Sequence, residues 1–79
     1  MQKHKVIVYG TPTCPYCIDV KRWLKANKIE FTDKNVQEDR EAAKEMIAKT
    51  HQTGVPVLDI DGYIIIGFAE EQIKEALEI

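Results

Sequence analysis

Apolar residues occur in short runs that alternate with longer segments in which they recur at helical spacing. The run Lys5–Tyr9 is β-branched and predicts a buried strand, and Gly10–Thr13 predicts a turn. Between Pro15 and about Asn27, apolar side chains recur every three or four positions, which predicts an amphipathic helix. Pro15 suits the first helical position because the N–H that it lacks would have no partner there, and Asn27 suits a left-handed cap.

The middle of the chain repeats this alternation. Ile29–Val36 alternates apolar and polar residues in its first half and predicts a second strand. Glu38 to about His51 predicts a second helix, with acidic residues at its start and Lys49 near its end, as the helix dipole favours. Two strands joined by one helix form a parallel pair with a right-handed crossover.

The last third of the chain predicts a hairpin and a helix. Val55–Ile60 and Tyr63–Ile66 are rich in β-formers and flank Asp61-Gly62, a strong turn signal, and Gly67 ends the hairpin. A final amphipathic helix follows, marked by Ala69, Ile73, Ala76 and Leu77. The order β-α-β-α-β-β-α predicts an α/β fold: a mixed four-stranded sheet with a parallel first half, an antiparallel hairpin and three packed helices.

Composition limits the classes of function. A chain of 79 residues with 44% hydrophobic residues predicts one small domain spanning residues 1–79. Its formal net charge of -2 provides no basic surface for nucleic acid or anionic membranes. The apolar run Val6–Tyr9 is too short for a signal-peptide core or a membrane span. We therefore expect a monomer in the cytoplasm that binds neither nucleic acid nor membranes.

The two cysteines of the chain, Cys14 and Cys17, flank Pro15-Tyr16 at the start of the first predicted helix. The free N–H groups and positive dipole end of a helix stabilise a thiolate, which is the attacking form of cysteine. We expect Cys14 to attack a substrate disulfide and Cys17, one turn later and nearer the core, to resolve the mixed disulfide. Pro15 would moderate thiolate stabilisation, and Tyr16 lines a substrate groove or simply faces solvent.

Two other uses of the cysteine pair stay open. A structural disulfide across so short a loop would stabilise the fold weakly. A zinc site needs four ligands, and neither His4 nor His51 has suitable spacing to the pair, so we predict no metal site within one chain. An iron-sulfur cluster or metal held by Cys14 across a dimer is the remaining metal-binding alternative.

Val55-Pro56 is the second candidate site. Pro56 opens the third predicted strand, where a missing N–H is tolerated at an edge. Val55 would then present unpaired backbone groups to an extended substrate, which adds as a further strand. An ordinary trans proline at a strand edge is the competing interpretation, because most X-Pro bonds are trans.

Together these residues resemble glutaredoxin, of the thioredoxin superfamily. The likeness rests on Cys14-Pro15-Tyr16-Cys17 after a strand, Val55-Pro56 before the hairpin and Gly67 before the last helix, and it covers essentially the whole chain. It implies a thioredoxin-like fold, a cis Pro56 facing Cys14, and reduction of protein disulfides or glutathione mixed disulfides. It also implies that no cofactor is tightly bound, with glutathione as a possible reductant.

The chain departs from the family pattern around the expected glutathione cleft. Thr11 stands where many glutaredoxins have a lysine, and Ile66-Gly67 stands where the family usually has two glycines. Gly67, Phe68 and Glu70 are the candidate rim of this cleft, although Phe68 could instead pack against the core. The Gly67-Phe68 pair resembles small redoxins that thioredoxin reductase reduces, so the resemblance leaves glutathione and thioredoxin reductase as alternative electron donors.

Overall fold

A computed structural model describes residues 4–79, which contain seven helices and strands. In chain order they are β1 (Val6–Gly10), α1 (Pro15–Ala26), β2 (Thr32–Asn35), α2 (Arg40–Thr50), β3 (Val57–Ile60), β4 (Tyr63–Ile66) and α3 (Glu70–Leu77). The predicted order β-α-β-α-β-β-α is confirmed. None of the helices among residues 4–79 could span a lipid bilayer.

The four strands form one mixed sheet in the order β2-β1-β3-β4. β1 pairs in parallel with β2 and antiparallel with β3, and β3 pairs antiparallel with β4. Asp61 and Gly62, at the β3–β4 turn, both have positive φ (53° and 95°), as a two-residue hairpin of the predicted kind requires. The parallel first half and the antiparallel hairpin are therefore both confirmed.

Helices cover both faces of the sheet, and alternate residues of each strand point to opposite faces. The core beneath α1 and α3 contains Val6, Val8, Val20, Leu24, Leu58, Ile60, Ile65, Ile73 and Leu77. The core beneath α2 contains Ile7, Tyr9, Met46 and Val57. Strand β1 is buried along its whole length because it contributes to both cores.

The second strand is shorter than the predicted range Ile29–Val36. The Ile29 N–H donates to Leu24 O at 2.9 Å, which ties this residue to the end of α1 instead of to the sheet. Ladder pairing with β1 begins at Thr32, opposite Ile7. Ile29 and Phe31 still pack against the core, so their apolar character reflects burial without strand pairing.

The predicted left-handed cap at Asn27 is wrong. Asn27 has φ -93°, and the left-handed residue is Lys28, with φ 59°. The Asn27 side chain and backbone N–H both donate to Trp23 O, at 2.8 and 3.1 Å, and so close the last turn of α1. The chain therefore reverses one residue later than predicted.

Other boundaries differ from the prediction by one or two residues. Helix α2 begins at Arg40 because Asp39 acts as its N-cap, accepting hydrogen bonds from the N–H groups of Glu41 and Ala42. Strand β3 begins at Val57 and not at Val55. Pro56 has no N–H to donate to the ladder, so Val55-Pro56 forms the approach to the strand.

Candidate active site

Cys14 lies at the start of α1, as predicted, and is its N-cap. Its backbone is extended (φ -84°, ψ 116°), and Pro15 occupies the first turn of the helix. The Cys17 N–H donates to Cys14 Sγ at 3.3 Å. A helix start therefore places an N–H and the positive end of its dipole against this sulfur.

The turn that carries Cys14 meets the segment that precedes β3. Cys14 Sγ lies 4.0 Å from Val55 O, although the two residues are 41 positions apart. The Val55-Pro56 peptide bond is cis, as the resemblance implied. Cys14 is partly exposed, Val55 is partly buried and Pro56 is buried. The first and second candidate sites are thus one site.

Cys17 lies in a different environment from Cys14. Its side chain is fully buried beneath α1. Burial, with a smaller contribution from the hydrogen bond to Cys14, raises the pKa of the Cys17 thiol to about 11, against opposing effects of the Thr11 backbone and Lys21. Cys17 is therefore a protonated thiol near neutral pH, one helical turn from a partly exposed sulfur.

Gly10 is a site residue that the sequence analysis assigned only to a turn. A Cβ at this position would lie 2.8 Å from Cys17 Sγ and 3.0 Å from Cys17 Cβ, both closer than ordinary van der Waals contact. The buried end of β1 therefore needs a residue without a side chain where the Cys17 sulfur packs. The sequence signal for this role was the position of Gly10, which ends a buried β-branched run just before the cysteine pair.

We expect Gly10→Ala to displace Cys17. The methyl group overpacks the site, so the free energy of unfolding should fall by about 1–3 kcal/mol, measured by urea denaturation of the reduced protein. The same substitution in a Cys17→Ala background is the matched control. It should cost less because the 2.8 Å contact with sulfur is gone. Equal costs in both backgrounds would contradict the proposed packing.

Tyr16 and Gly67 are two further predicted site residues, and they differ in exposure. Tyr16 is 65% exposed beside Cys14. Gly67 has φ 86°, which favours glycine, and its N–H donates to Pro56 O at 2.8 Å. β4 therefore ends against the cis-proline segment, which brings Gly67 to the site.

Phe68 and Glu70 are the other two residues of the predicted cleft rim. The Phe68 ring packs edge-on against Trp23, with centroids 6.3 Å apart, and contacts the core beneath α1 and α3. This contact supports the packing interpretation of Phe68. Glu70 is the first residue of α3 and is exposed. Substrate binding by either residue stays a prediction.

Metal ligands are not grouped in the part of the chain that the structure describes. Residues 4–79 contain no cluster of three or more His, Cys, Asp or Glu side chains arranged to hold a metal ion. Any site built on Cys14 would need ligands from elsewhere.

Comparison with known proteins decides the family. The family model for glutaredoxin matches residues 6–65, which include both cysteines and the Val55-Pro56 segment. The chain belongs to the glutaredoxin family. It is therefore a member of a family of thiol-disulfide oxidoreductases.

Relatives of this glutaredoxin-family chain match it over nearly its full length. It is 45% identical to a glutaredoxin-like 8.6 kDa protein of the rubredoxin operon of Clostridium pasteurianum, over 90% of this chain and 95% of that one. It is 29% identical to the glutaredoxin-like protein NrdH of Lactococcus lactis, over 89% of this chain and 96% of that one. Among solved structures, a point mutant of the thioredoxin-like protein BC3987 superposes with a TM-score of 0.89 at 32% identity, covering 95% and 96% of the two chains. The thioredoxin-like fold is thereby confirmed.

Proposed function

We propose that this protein reduces protein disulfides or glutathione mixed disulfides through Cys14 and Cys17. The observation that carries the proposal is the contrast between the two sulfurs. Cys14 Sγ is partly exposed and accepts an N–H at a helix start, whereas Cys17 is buried with a raised pKa. Thiol-disulfide exchange by a dithiol pair needs one sulfur that attacks the substrate and a second that reacts only afterwards, with the mixed disulfide.

The reaction has two exchange steps. The Cys14 thiolate attacks one sulfur of the substrate disulfide, forms a mixed disulfide and expels the other substrate sulfur as a thiolate. Cys17 then gives its proton to the expelled substrate thiolate and attacks Cys14 Sγ, which forms the Cys14–Cys17 disulfide and releases the second substrate thiolate. Two electrons pass from the protein to the substrate, and an external thiol or reductase must return them.

Other residues bind and align the substrate in this proposal. Val55 supplies backbone hydrogen-bonding groups, and Pro56 fixes the direction in which they point. Pro15 sets the start of α1, and exposed Tyr16 forms one wall of the groove. Gly67, Phe68 and Glu70 form the rim of the cleft in this proposal.

Glutathione is the donor that the glutaredoxin resemblance implies, and thioredoxin reductase is the alternative. Ile66 is 55% exposed directly before Gly67, where the family pattern has a second glycine. We take this bulky side chain, in place of a glycine, as favouring thioredoxin reductase. We place the reaction in the cytoplasm, with the protein a monomer that needs no tightly bound cofactor.

A side-by-side assay tests the proposal. Insulin reduction would be followed with glutathione plus glutathione reductase, and separately with thioredoxin reductase plus NADPH. Turnover with either donor supports the dithiol reaction, and the faster donor identifies the reductant. Turnover with neither donor, in protein that holds two free thiols, would overturn the proposal. Visible charge-transfer absorbance of the isolated protein would instead support a cluster bound across a dimer.

A further inference from the structure

The segment between α2 and β3 contains two hydrogen bonds between one side chain and one glycine. The Gly54 N–H donates to Gln52 Oε1 at 2.6 Å, and Gln52 Nε2 donates to Gly54 O at 3.0 Å. A single side-chain amide thereby pairs with both backbone polar groups of Gly54. Only a side chain with one donor and one acceptor side by side, such as glutamine, can do this.

These bonds fix the peptide unit that leads into the candidate substrate-binding residue. Gly54 O belongs to the same planar peptide unit as the Val55 N–H, so holding the oxygen sets the direction of that N–H. Val55 O, on the next peptide unit, lies 4.0 Å from Cys14 Sγ. The Gln52 amide therefore acts on the orientation of Val55 without contacting the sulfur itself.

Gln52 is itself attached to a fixed part of the fold. It follows the end of α2, where Lys49 Nζ lies 2.7 Å from Tyr9 OH and 2.6 Å from Asp59 Oδ2. Thr50 Oγ1 lies 2.7 Å from Met46 O and 3.2 Å from Gln52 O. The end of α2 is therefore hydrogen-bonded to the sheet. Gln52, which follows it, holds the Gly54 backbone relative to the sheet.

Gly54 leaves room for the Gln52 amide because it has no side chain. A Cβ at Gly54 would lie 2.7 Å from Gln52 Oε1, and its next nearest atom is Gln52 Cδ at 3.7 Å. Gly54 is not among the glycines with positive φ, so alanine would meet no backbone strain there. Its effect would be to push away the Gln52 amide, which is the mobile end of a side chain. Alanine at either position therefore removes the same two hydrogen bonds.

We propose that Gln52 is a positioning residue for the reduction of extended protein substrates. It holds the Gly54–Val55 peptide unit so that Val55 presents its backbone groups to the polypeptide that flanks the substrate disulfide. This inference rests on the proposed function. A reagent that contacts only Cys14 Sγ gains nothing from this arrangement, so Gln52 should matter for protein disulfides and not for small alkylating agents.

The test compares Gln52→Ala, Gly54→Ala and the double variant. The rate constant for reaction of pre-reduced protein with insulin should fall about threefold to tenfold in each single variant, the range expected for lost hydrogen bonds. The double variant should be no slower than Gln52→Ala alone, because Gln52→Ala already removes both bonds to Gly54 that Gly54→Ala disrupts, together with the 3.4 Å contact from Gln52 Nε2 to Thr50 Oγ1. Alkylation of Cys14 by iodoacetamide should change less than about twofold. Gln37→Ala, at an exposed loop glutamine, is the matched control and should react with insulin like the wild type.

The outcomes separate this inference from the proposed function. Wild-type protein that leaves insulin intact would overturn both. Wild-type reduction that is unchanged in the two single variants would overturn the positioning role alone. Additive losses in the double variant would also overturn it, because the two substitutions would then act independently. A parallel loss of Cys14 alkylation would overturn it as well, because the substitutions would then disturb the whole site. Urea denaturation of each variant confirms that the folded state is being compared.

Discussion

Replacing Cys14 by serine should lower disulfide turnover at least about a thousandfold, as expected when a covalent nucleophile is removed. A serine hydroxyl is not ionised near neutral pH and forms no stable bond to a disulfide sulfur. The Cys17 thiol cannot replace it, because it is fully buried and its pKa is raised to about 11. Insulin reduction, with either electron donor, measures the loss.

Serine at this position also separates chemistry from folding. Cys14 is the N-cap of α1 and its side chain accepts the Cys17 N–H, a role that serine performs well. We therefore expect Cys14→Ser to unfold in urea at the same concentration as the wild type or a higher one. Substantial turnover by this folded variant would show that Cys14 is not the nucleophile.

The Cys17→Ser variant should accumulate a covalent complex with its protein substrate. Cys14 can still attack, but no second thiol of the chain is available to resolve the mixed disulfide. Non-reducing electrophoresis should show most of the variant joined to substrate, and dithiothreitol should release it. Whatever turnover the wild type shows with glutathione as donor should be retained, because glutathione from solution can resolve the complex.

Two variants control this experiment. The Cys14→Ser/Cys17→Ser double variant should trap no substrate, which would assign the bond to Cys14. Cys17→Ala should trap as Cys17→Ser does, which would exclude an effect of the buried serine hydroxyl. A Cys17→Ser variant that releases reduced substrate as fast as the wild type, without added thiol, would contradict the resolving role.

The sequence predicts the parts of this fold that local pattern determines. Asp61-Gly62 specifies a tight hairpin, and Pro15 at the start of a helical repeat specifies where α1 begins and hence that Cys14 caps it. These features depend on backbone preferences within a few residues. The β-branched run of β1 is equally local, and burial on both faces is what such a run predicts.

The parts that depend on distant contacts were harder to predict. Ile29 and Phe31 have the apolar pattern of a strand, but pairing with β1 starts only at Thr32. The approach of Val55 to Cys14 joins segments 41 positions apart. The cis form of Pro56 was implied only by the family resemblance. Most X-Pro bonds are trans, so a proline by itself predicts neither a cis bond nor a binding site.

Two site features had only weak signals in the sequence. Gly10 looks like any turn glycine until the Cys17 sulfur is seen packed against it. Gln52 is a polar residue in a loop, and its pairing with both backbone groups of Gly54 depends on the path of the chain after α2. Side-chain geometry of this kind is set by tertiary structure and not by residue spacing.

The most direct test of the account is brief alkylation of the reduced wild-type protein, mapped by mass spectrometry from about pH 7 to pH 11. We expect iodoacetamide to modify Cys14 at neutral pH and to spare Cys17, which becomes reactive only as the pH approaches its pKa of about 11. Denatured protein, modified at both cysteines, is the control. Modification of Cys17 before Cys14, or of both at equal rates in the folded protein at neutral pH, would contradict the assignment of attacking and resolving sulfurs.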